Sequence, residues 1–409
     1  MRAVSHVYKR LGVGPHPDRV ASAISSEQAI SEILGASTPP IEIMAMEPPA
    51  DREEFRDPSG VAGLAAWWLE QMAFSPDPLT ERMAWFWHDH FATSVRKVRS
   101  SYLMWLQHRT IRRLALAPFS DLLMAIAKDP AMLLYLDGAH NNVESVNENF
   151  AREVMELHTL GTGHYTQTDV TEAAKALTGW LFHLPFNRQI SAAAGDTPEW
   201  EPFFFGRRHV SGRKTVLGTT AEHDLDSFLE LLVGHPATQT RIASKLFVEL
   251  VGTTPTEGDI DRVTRRWSTT DPTIGLVEAI VDQPAFLDPA SFDSRVKTPI
   301  ERLVGLVQAY GTAIPAEASY ALHNQSYLPF NPPSPAGFPR EEALLGPHQL
   351  VHAFDFLNVI DPPPNPPVDD VLVRLGLHSV GEDTRATLDA SAPNHRLALA
   401  FNSPEYALT

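Results

Sequence analysis

The sequence predicts a mostly α-helical fold in one large domain over residues 1–409, with a short β-hairpin near 200–220 and proline-rich loops. Apolar residues recur with a helical period along most of the chain. The composition is 43% hydrophobic and 20% charged, which supplies enough apolar material for a core. We find no internal repeat and no boundary strong enough to divide the chain.

Capping signals mark several of the predicted helices. Thr80 is a candidate N-cap for the helix at 79–92, Gly161 ends the helix at 146–160, and Thr166 to Asp169 resembles a capping box. The predicted helices are 26–35, 61–74, 79–92, 100–116, 119–128, 146–160, 167–178, 224–234, 236–251, 256–268, 274–283, 297–312 and 341–358, followed by two short helices in the tail.

Two stretches lack a helical period. Residues 181–220 mix Phe, Pro, Gly and Arg, which indicates loops and a hairpin that turns at Gly212. From about residue 328 the chain becomes rich in proline, and we expect residues 361–367 to run extended over the surface.

Charge and cysteine content exclude several classes of function. Lys and Arg number 33 against 50 Asp and Glu, a formal charge of −17. Nucleic acids and anionic membranes need clustered cations, so we expect neither as a partner. The sequence has no cysteine, which rules out a thiolate nucleophile and an iron–sulfur cluster. Any metal would have to bind through histidine and carboxylate.

The first ten residues show no apolar stretch and no small-residue cleavage site of the kind that a signal peptide carries. No apolar run approaches the roughly 18 residues of a transmembrane helix. A cytoplasmic location is the expectation that follows.

Two histidines and an acid lie among aromatic residues in the segment Trp85 to Phe91. Imidazole is a common metal ligand and acid–base group. On a helix, however, His88 and His90 would point about 200° apart, so at most one is expected to face a site. The alternative is a helix end at which His and Asp cap backbone groups beneath aromatic cover.

A second polar group follows in the segment Asn147 to His158. Asn149, Arg152, Glu153 and Glu156 have helical spacing i, i+3, i+4 and i+7, which places them on one face. If this face is buried, its carboxylates must be paired, metal-bound or protonated, as at a functional site. The alternative is a solvated face joined by an Arg152–Glu156 pair.

Basic residues surround the predicted hairpin turn. Arg208 and Lys214 flank Gly212 without the glycine spacing of a phosphate-binding loop, so either anion contact or a plain surface turn explains them. The segment Asn331 to Pro339 is rigid extended chain, and we favour a role in stapling the core over one in lining a cleft.

Several of these segments resemble the domain of unknown function 1800 family. The stretch Asn147 to Gly161, continued by Tyr165 to Trp180, resembles its central signature, and Trp87 to Phe91 resembles its aromatic–histidine motif. Arg10 to Pro15 and Lys297 to Glu301 are similar to its opening and to a late motif. The resemblance implies that the Glu-rich helix and the histidine motif meet, and it brings no established activity.

Three features depart from the family pattern. An acid usually follows the histidine before the glycine–lysine turn, whereas Val210 follows His209 here. The late proline segment usually leads into Gly-Trp, whereas this chain has Gly337-Phe338. Many relatives look exported, unlike this chain. A site that uses the acid replaced by Val210 would be altered. A third hypothesis is therefore that this chain is a diverged or inactive member of the family.

The first functional hypothesis is a hydrolase-type enzyme with a His/carboxylate pocket, with a divalent metal as a candidate cofactor. The candidate catalytic residues are Glu153, Glu156, Arg152 and His88. The candidate substrate-binding residues are Asn149, His158, Arg208 and Lys214. The candidate metal ligands are His88, His90 and Glu148.

The second hypothesis is a non-catalytic binding or assembly protein. In that case Arg152, Glu153 and Glu156 form a structural polar cluster, and the proline-rich C-terminal part offers a docking surface. The sequence names neither a substrate nor a partner.

Overall fold

A computed structural model describes residues 1–36, 44–311, 313–315, 317–358 and 365–409. Helices dominate these ranges, which confirms the predicted mostly α-helical fold. The α-helices are α1 (Arg2–Leu11), α2 (Pro17–Ser22), α3 (Ser26–Gly35), α4 (Arg52–Phe55), α5 (Val61–Phe74), α6 (Pro78–His90), α7 (Val95–Val98), α8 (Ser101–Leu114), α9 (Phe119–Ala127), α10 (Pro130–Tyr135), α11 (Asn149–Glu153), α12 (Gln167–Ala176), α13 (Arg188–Ala194), α14 (Leu225–Val233), α15 (Pro236–Val251), α16 (Glu257–Thr264), α17 (Thr273–Val281), α18 (Pro299–Tyr310), α19 (Glu317–Asn324), α20 (Pro347–Ala353), α21 (Val368–Arg374), α22 (Glu382–Ala390) and α23 (Arg396–Phe401).

The strands of the described ranges form two small antiparallel pairs. The strands are β1 (Trp180–Phe182), β2 (Pro202–Phe204), β3 (Lys214–Val216) and β4 (Thr219–Ala221), paired β1 with β2 and β3 with β4. The β3–β4 pair is the predicted hairpin, but it turns at Leu217 and Gly218 rather than at Gly212. Both turn residues have positive φ, 49° and 77°, as a tight two-residue hairpin requires.

Several helix boundaries differ from the predicted ones for local reasons. The N-cap of α6 is Asp77, whose carboxylate accepts from the backbone N–H of Thr80 at 3.0 Å, so the prediction of Thr80 was wrong. Residues 341–358 break into short helical turns around α20. Residues 361–364 of the predicted extended proline stretch lie outside the described residues.

Helix α1 did not emerge from the sequence pattern. Its polar residues lie on one face with helical spacing, a pattern that we did not recognise in the sequence. Four of them, Ser5, His6, Lys9 and Arg10, are nevertheless buried along with the apolar face. It packs against α3, α6 and α15. Its burial therefore depends on partners for polar groups that only the tertiary structure supplies.

Helix α6 lies at the centre of the fold. Every residue from Pro78 to His90 is buried, and the helix packs against α1, α5 and α8. Apolar side chains from helices along the chain form one continuous core around it. Because a buried charged group is costly without a partner, each charged residue of α6 has to find one there. The single-domain organisation of residues 1–409 stays a prediction.

The predicted helix at 146–160 changes character midway. The α-helical part is α11, and residues Val154–His158 continue it as a π-helical turn. Such turns widen the backbone and are frequent at functional sites. No helix of the described ranges is long and apolar enough to cross a membrane.

Candidate functional site

His88 points into the aromatic core. Its Nε2 accepts a hydrogen bond from the backbone N–H of Phe330 at 3.0 Å, and its ring packs edge-on against Trp68 at 5.1 Å. Burial lowers the pKa of His88 to about 3, so the ring is neutral. Within the described ranges His88 shares no partner with the Glu-rich helix. These contacts support a structural part for His88 rather than the catalytic or metal-binding part that the sequence suggested.

Asp89 binds the proline-rich segment. Its Oδ1 accepts from the backbone N–H of Phe338 at 2.7 Å, and its Oδ2 pairs with the guanidinium of Arg340. Gly337 lies against Asp89 with φ of 101°, so a Cβ there would collide with the carboxylate. The Phe338 ring packs on Trp85 at 5.2 Å. These contacts support the interpretation that this segment staples the core.

His90 turns to the opposite side of α6 and meets the Glu-rich helix. Its Nε2 donates to the backbone carbonyl of His158 at 3.0 Å, and its Nδ1 accepts from Nζ of Lys245 at 2.8 Å. The carbonyl of His158 belongs to the π-helical turn, as does that of Leu157, which accepts from Arg241 at 3.4 Å. The widened turn thus presents two carbonyl groups to residues of α6 and α15.

Lys245 faces an open cleft of about 610 Å³, which we name the Lys245 cleft. One wall is residues 160–164, just after the π-helical turn, and the other is the face of α15 that carries Thr240, Arg241, Ser244 and Lys245. His164 and His235 close one side, with ring centroids 6.1 Å apart. Cations, imidazoles and hydroxyls therefore surround this space, and none of its described lining residues is acidic.

The pKa of Lys245 is lowered from 10.5 to about 7. Burial is the main cause, the guanidinium of Arg340 adds to it, and the carboxylates of Asp89 and Glu249 oppose it. A substantial fraction of the amine is therefore neutral at physiological pH. A neutral amine in a cleft has a free electron pair for proton abstraction.

The candidate acids are spread along the Glu-rich helix. Glu148 accepts from Thr171 at 2.7 Å, from Gln167 at 2.8 Å and from Arg152 at 3.2 Å. Asn149 bonds backwards, to the carbonyl of Leu136 at 3.3 Å. Arg152 therefore pairs with Glu148 and not with Glu156 as the solvated-face alternative predicted.

Glu153 and Glu156 are half-buried. Burial, together with the nearby charge of Glu156, raises the pKa of Glu153. Glu156 accepts from the hydroxyl of Tyr165 at 2.8 Å and interacts electrostatically with Arg241. Arg152, Glu153 and Glu156 all act on the pKa of the Tyr165 hydroxyl, so the three residues stay close together although the helix widens after Glu153. Arg241 lines the Lys245 cleft, so Glu156 is a predicted acid that interacts electrostatically with a residue of that cleft.

The remaining candidates lie elsewhere. Arg208 donates to the carbonyl of Ala139 at 2.9 Å. Lys214 is buried and donates to the carbonyl of Gly212 at 3.2 Å, near His209. The side chain of His158 is buried, with its ring 5.1 Å from that of Phe91. The structure thus brings His90 and His158 together. Arg208 and Lys214 instead bond the backbone near the hairpin and elsewhere, and neither contacts that pair.

The three predicted metal ligands do not share a site. His88 faces the core, both ring nitrogens of His90 are occupied, and Glu148 is bound by three side chains. In the part of the chain that the structure describes, no three His, Asp or Glu residues are grouped as metal ligands would be. The geometry explains this result, since His88 and His90 leave α6 on opposite sides.

A buried ionic network extends from α6 on the side of Arg82. Arg82 donates to the carbonyls of Gly12 at 2.7 Å and Lys9 at 2.9 Å. It also pairs with Glu249 of α15 and Glu301 of α18, both at 2.9 Å. One guanidinium therefore joins the end of α1 to two further helices.

Further ion pairs continue this network towards the proline-rich segment. Arg295 pairs with Glu301, and Arg340 lies 3.7 Å from Glu249 and also pairs with Asp89. A cavity of about 90 Å³ lies beside these groups. The network and the Lys245 cleft are electrically coupled, since Arg340, Asp89 and Glu249 all act on the pKa of Lys245.

Sequence reasoning missed Lys245, Arg241, Arg82 and Arg340. A usable signal was the polar pair Lys245 and Glu249, spaced i and i+4 on the otherwise apolar second half of α15. The adjacent Glu81 and Arg82 in an aromatic helix gave a similar signal. A buried charge in an apolar helix requires a partner, so such residues mark long-range contacts.

The fold and the site define a helical protein in which several signature segments converge on one buried helix. The sequence model described as "Protein of unknown function (DUF1800)" matches residues 6–408, and the chain belongs to this family. No curated protein and no solved structure matches the chain significantly. Of the family segments recognised in the sequence, the opening and the late motif meet α6 through Arg82, and the central signature meets it through His90.

Proposed function

We propose that the protein is a hydrolase-type enzyme whose reaction takes place in the Lys245 cleft. The observation that carries the proposal is the hydrogen bond from Lys245 to His90 at the wall of a cleft large enough for a small molecule. The facing wall is formed by residues 160–164, which directly follow the π-helical turn of the family signature. Two segments that resemble family motifs, the aromatic–histidine motif and the central signature, thus lie beside the Lys245 amine.

The lining of the cleft favours an anionic substrate. Arg241 offers a planar array of donors, and Thr240, Ser244 and Thr162 add hydroxyl groups. The described lining contains no carboxylate that would compete with a bound phosphate or carboxylate group. The chain as a whole has a formal charge of −17, so the basic groups of this cleft form a local positive region in an acidic protein.

Lys245 serves as the general base in this proposal. Its neutral amine removes a proton from a water molecule, whose oxygen attacks the electrophilic carbon or phosphorus of the substrate. The resulting ammonium then returns the proton to the leaving group. His90 holds the amine in place, because its Nδ1 accepts from Lys245 while its Nε2 donates to His158.

The predicted acids have a supporting part. Glu156 acts on Arg241 electrostatically and accepts from Tyr165, so it positions the guanidinium at the edge of the cleft. Glu153 and Arg152 belong to the neighbouring polar surface, and Asn149 anchors the start of that helix. A metal-dependent version would need His90 or Glu148 to give up the partners described above.

Turnover assays test the proposal directly. A panel of chromogenic carboxylic esters, phosphate esters and amides, in anionic and neutral forms, would be assayed with wild type and Lys245→Met. Lys175→Met is the matched control, since Lys175 forms a surface pair with Glu172. We expect turnover of an anionic substrate that Lys245→Met abolishes and the control retains. Turnover equal in all three proteins, or none at all, would count against the proposal.

The second hypothesis is a binding or assembly protein in which the polar groups are structural, and the ionic network around Arg82 is compatible with it. Its charges are paired with one another inside the protein, which is a structural use of polar residues. On this hypothesis the Lys245→Met variant loses no reaction, and its main effect is on partner binding or stability. The same set of variants therefore separates the two functions.

A further inference from the structure

A second cavity, lined in part by the first helix, shares no lining residue with the Lys245 cleft. It has a volume of about 380 Å³, within the usual range of small-molecule sites. Its walls include Ser5, His6 and Lys9 of α1, Asp293, and the segment Gly376 to Gly381. We name it the α1 cavity.

Polar atoms in the wall of the α1 cavity lack partners. Ser5 is 1% exposed and His6 is 3% exposed. Across the described ranges, no group bonds Oγ of Ser5, Nε2 of His6 or Nε2 of His378. Buried polar atoms are nearly always hydrogen-bonded in native proteins, so three such atoms around one cavity indicate a missing partner.

The chemistry of His6 defines one contact of that partner. The ring bonds the backbone of Phe286, which leaves Nε2 as the free nitrogen. Burial, with the charges of Arg10 and Lys9, lowers the pKa of His6 to about 3, so the ring is neutral. Its Nε2 is therefore an acceptor and calls for a donor on the ligand. The Ser5 hydroxyl can both donate and accept.

The charges around the α1 cavity are already balanced. Asp293 pairs with Lys9 at 3.1 Å and with Arg2 at 3.3 Å. Glu405 accepts from the backbone N–H of Gly381 at 2.8 Å and from Thr384 at 3.1 Å. A charged ligand would have to break one of these arrangements. A neutral ligand with hydroxyl groups would leave these ion pairs intact and supply partners to the unpartnered atoms of Ser5, His6 and His378.

From these contacts we propose that the α1 cavity binds a small neutral polyhydroxylated molecule of the monosaccharide or polyol class. One hydroxyl donates to Nε2 of His6, and others bond Ser5 and His378. Gly376 packs closely beside this serine, since a Cβ there would lie 2.8 Å from Cβ of Pro15 and 3.3 Å from Oγ of Ser5. The site is separate from the proposed reaction and does not depend on it.

Ligand binding to the full chain tests this proposal. Glucose, mannitol and inositol serve as neutral probes, with glucose 6-phosphate and gluconate as charged analogues, and binding is followed by saturation-transfer NMR and calorimetry. We expect at least one neutral probe to bind, and its charged analogue to bind at least tenfold more weakly. Ser5→Ala and His378→Leu should each weaken binding about tenfold.

Thermal melting of the same variants separates binding from folding. Because Oγ of Ser5 has no partner in the free protein, Ser5→Ala should leave the melting temperature unchanged or raise it. Ser319→Ala is the matched control, since that buried hydroxyl donates to the carbonyl of Ala62 at 3.1 Å. The control should lower the melting temperature and retain binding. No binding of any neutral probe, equal binding of charged analogues, or full affinity in both cavity variants would overturn the proposal.

Discussion

Nζ of Lys245 lies 2.8 Å from Nδ1 of His90, although the two residues are 155 positions apart in the chain. Both ring nitrogens of His90 are thereby occupied, since Nε2 donates to the carbonyl of His158. This arrangement joins α6, α15 and the π-helical turn beside the Lys245 cleft, which Lys245 itself lines. The proposed chemistry depends on this contact, because it holds the amine of Lys245 at the cleft.

Replacement of Lys245 should separate catalysis from stability. The pKa of Lys245 is about 7 when folded and 10.5 ordinarily, so between these values the unfolded chain binds more protons and stability rises with pH. At pH 7 the Lys245→Met variant should be more stable than wild type by roughly 1–3 kcal/mol, after allowance for partial exposure. This advantage should shrink towards pH 10. Urea unfolding at several pH values measures it, and a less stable variant at pH 7 would contradict the prediction.

The Arg82 network should dominate acid stability. Burial would raise the pKa of Glu301, but the guanidinium groups of Arg295 and Arg82 outweigh it and hold the pKa well below the ordinary 4.5. The carboxylate therefore stabilises the fold above about pH 4.5, and this contribution is lost as the pH falls towards the depressed pKa. Glu301→Gln should cost about 3–5 kcal/mol at pH 7.

The difference between wild type and Glu301→Gln should narrow in denaturation curves below pH 4.5, the ordinary pKa of the group. Glu144→Gln is the control, because Glu144 is exposed on a loop. A constant difference from pH 7 to pH 3 would mean that the Glu301 carboxylate is not the group responsible.

Gly337 should tolerate no side chain. Its φ is 101° and a Cβ would collide with Oδ1 of Asp89, so Gly337→Ala should lower stability by roughly 2–4 kcal/mol. Gly63→Ala is the control, since Gly63 lies within α5 with nothing near its Cβ position. That change should stabilise by about 0.5–1 kcal/mol. Calorimetric melting of both variants measures the two changes in stability. Equal changes would contradict the close packing of Gly337 against Asp89.

Arg241 should govern recognition of the substrate's negative charge. Arg241→Gln removes the guanidinium from the cleft and keeps a polar side chain, so KM for an anionic substrate should rise about tenfold or more. Turnover of a neutral analogue should change little. Steady-state kinetics on the matched pair of substrates measures the difference. An equal loss for both would place Arg241 in the fold rather than in recognition.

Most helices were predictable from sequence because their signals are local. α5 and α15 have the bounds that periodicity, Pro236 and Gly252 indicate. The family signature was likewise visible in consecutive residues. The spacing of α1 is an equally local signal that we overlooked, since its polar residues share one face. What that spacing does not indicate is that Lys9 and Arg10 on the polar face are buried, because their partners come from distant parts of the chain.

The candidate site was predictable only in part. The expectation that the histidine motif meets the Glu-rich helix agrees with the contact between His90 and His158. The partner of Arg152 was misjudged: it pairs with Glu148 rather than with Glu156, a choice that helical spacing alone does not decide because both acids lie four residues away. Lys245 was missed because a lysine in a helix is usually solvated, and its spacing to Glu249 in an apolar half-helix indicates a buried partner without identifying His90.

The most direct test of the account is the titration of Lys245 itself. Protein labelled with ¹³C-lysine would be followed by NMR from pH 5 to pH 11, with the Cε signal of Lys245 assigned by its loss in Lys245→Arg. The account predicts a midpoint near pH 7. A midpoint near the ordinary value of 10.5 would mean that the amine stays protonated in the cleft, and Lys245 could not then be the base.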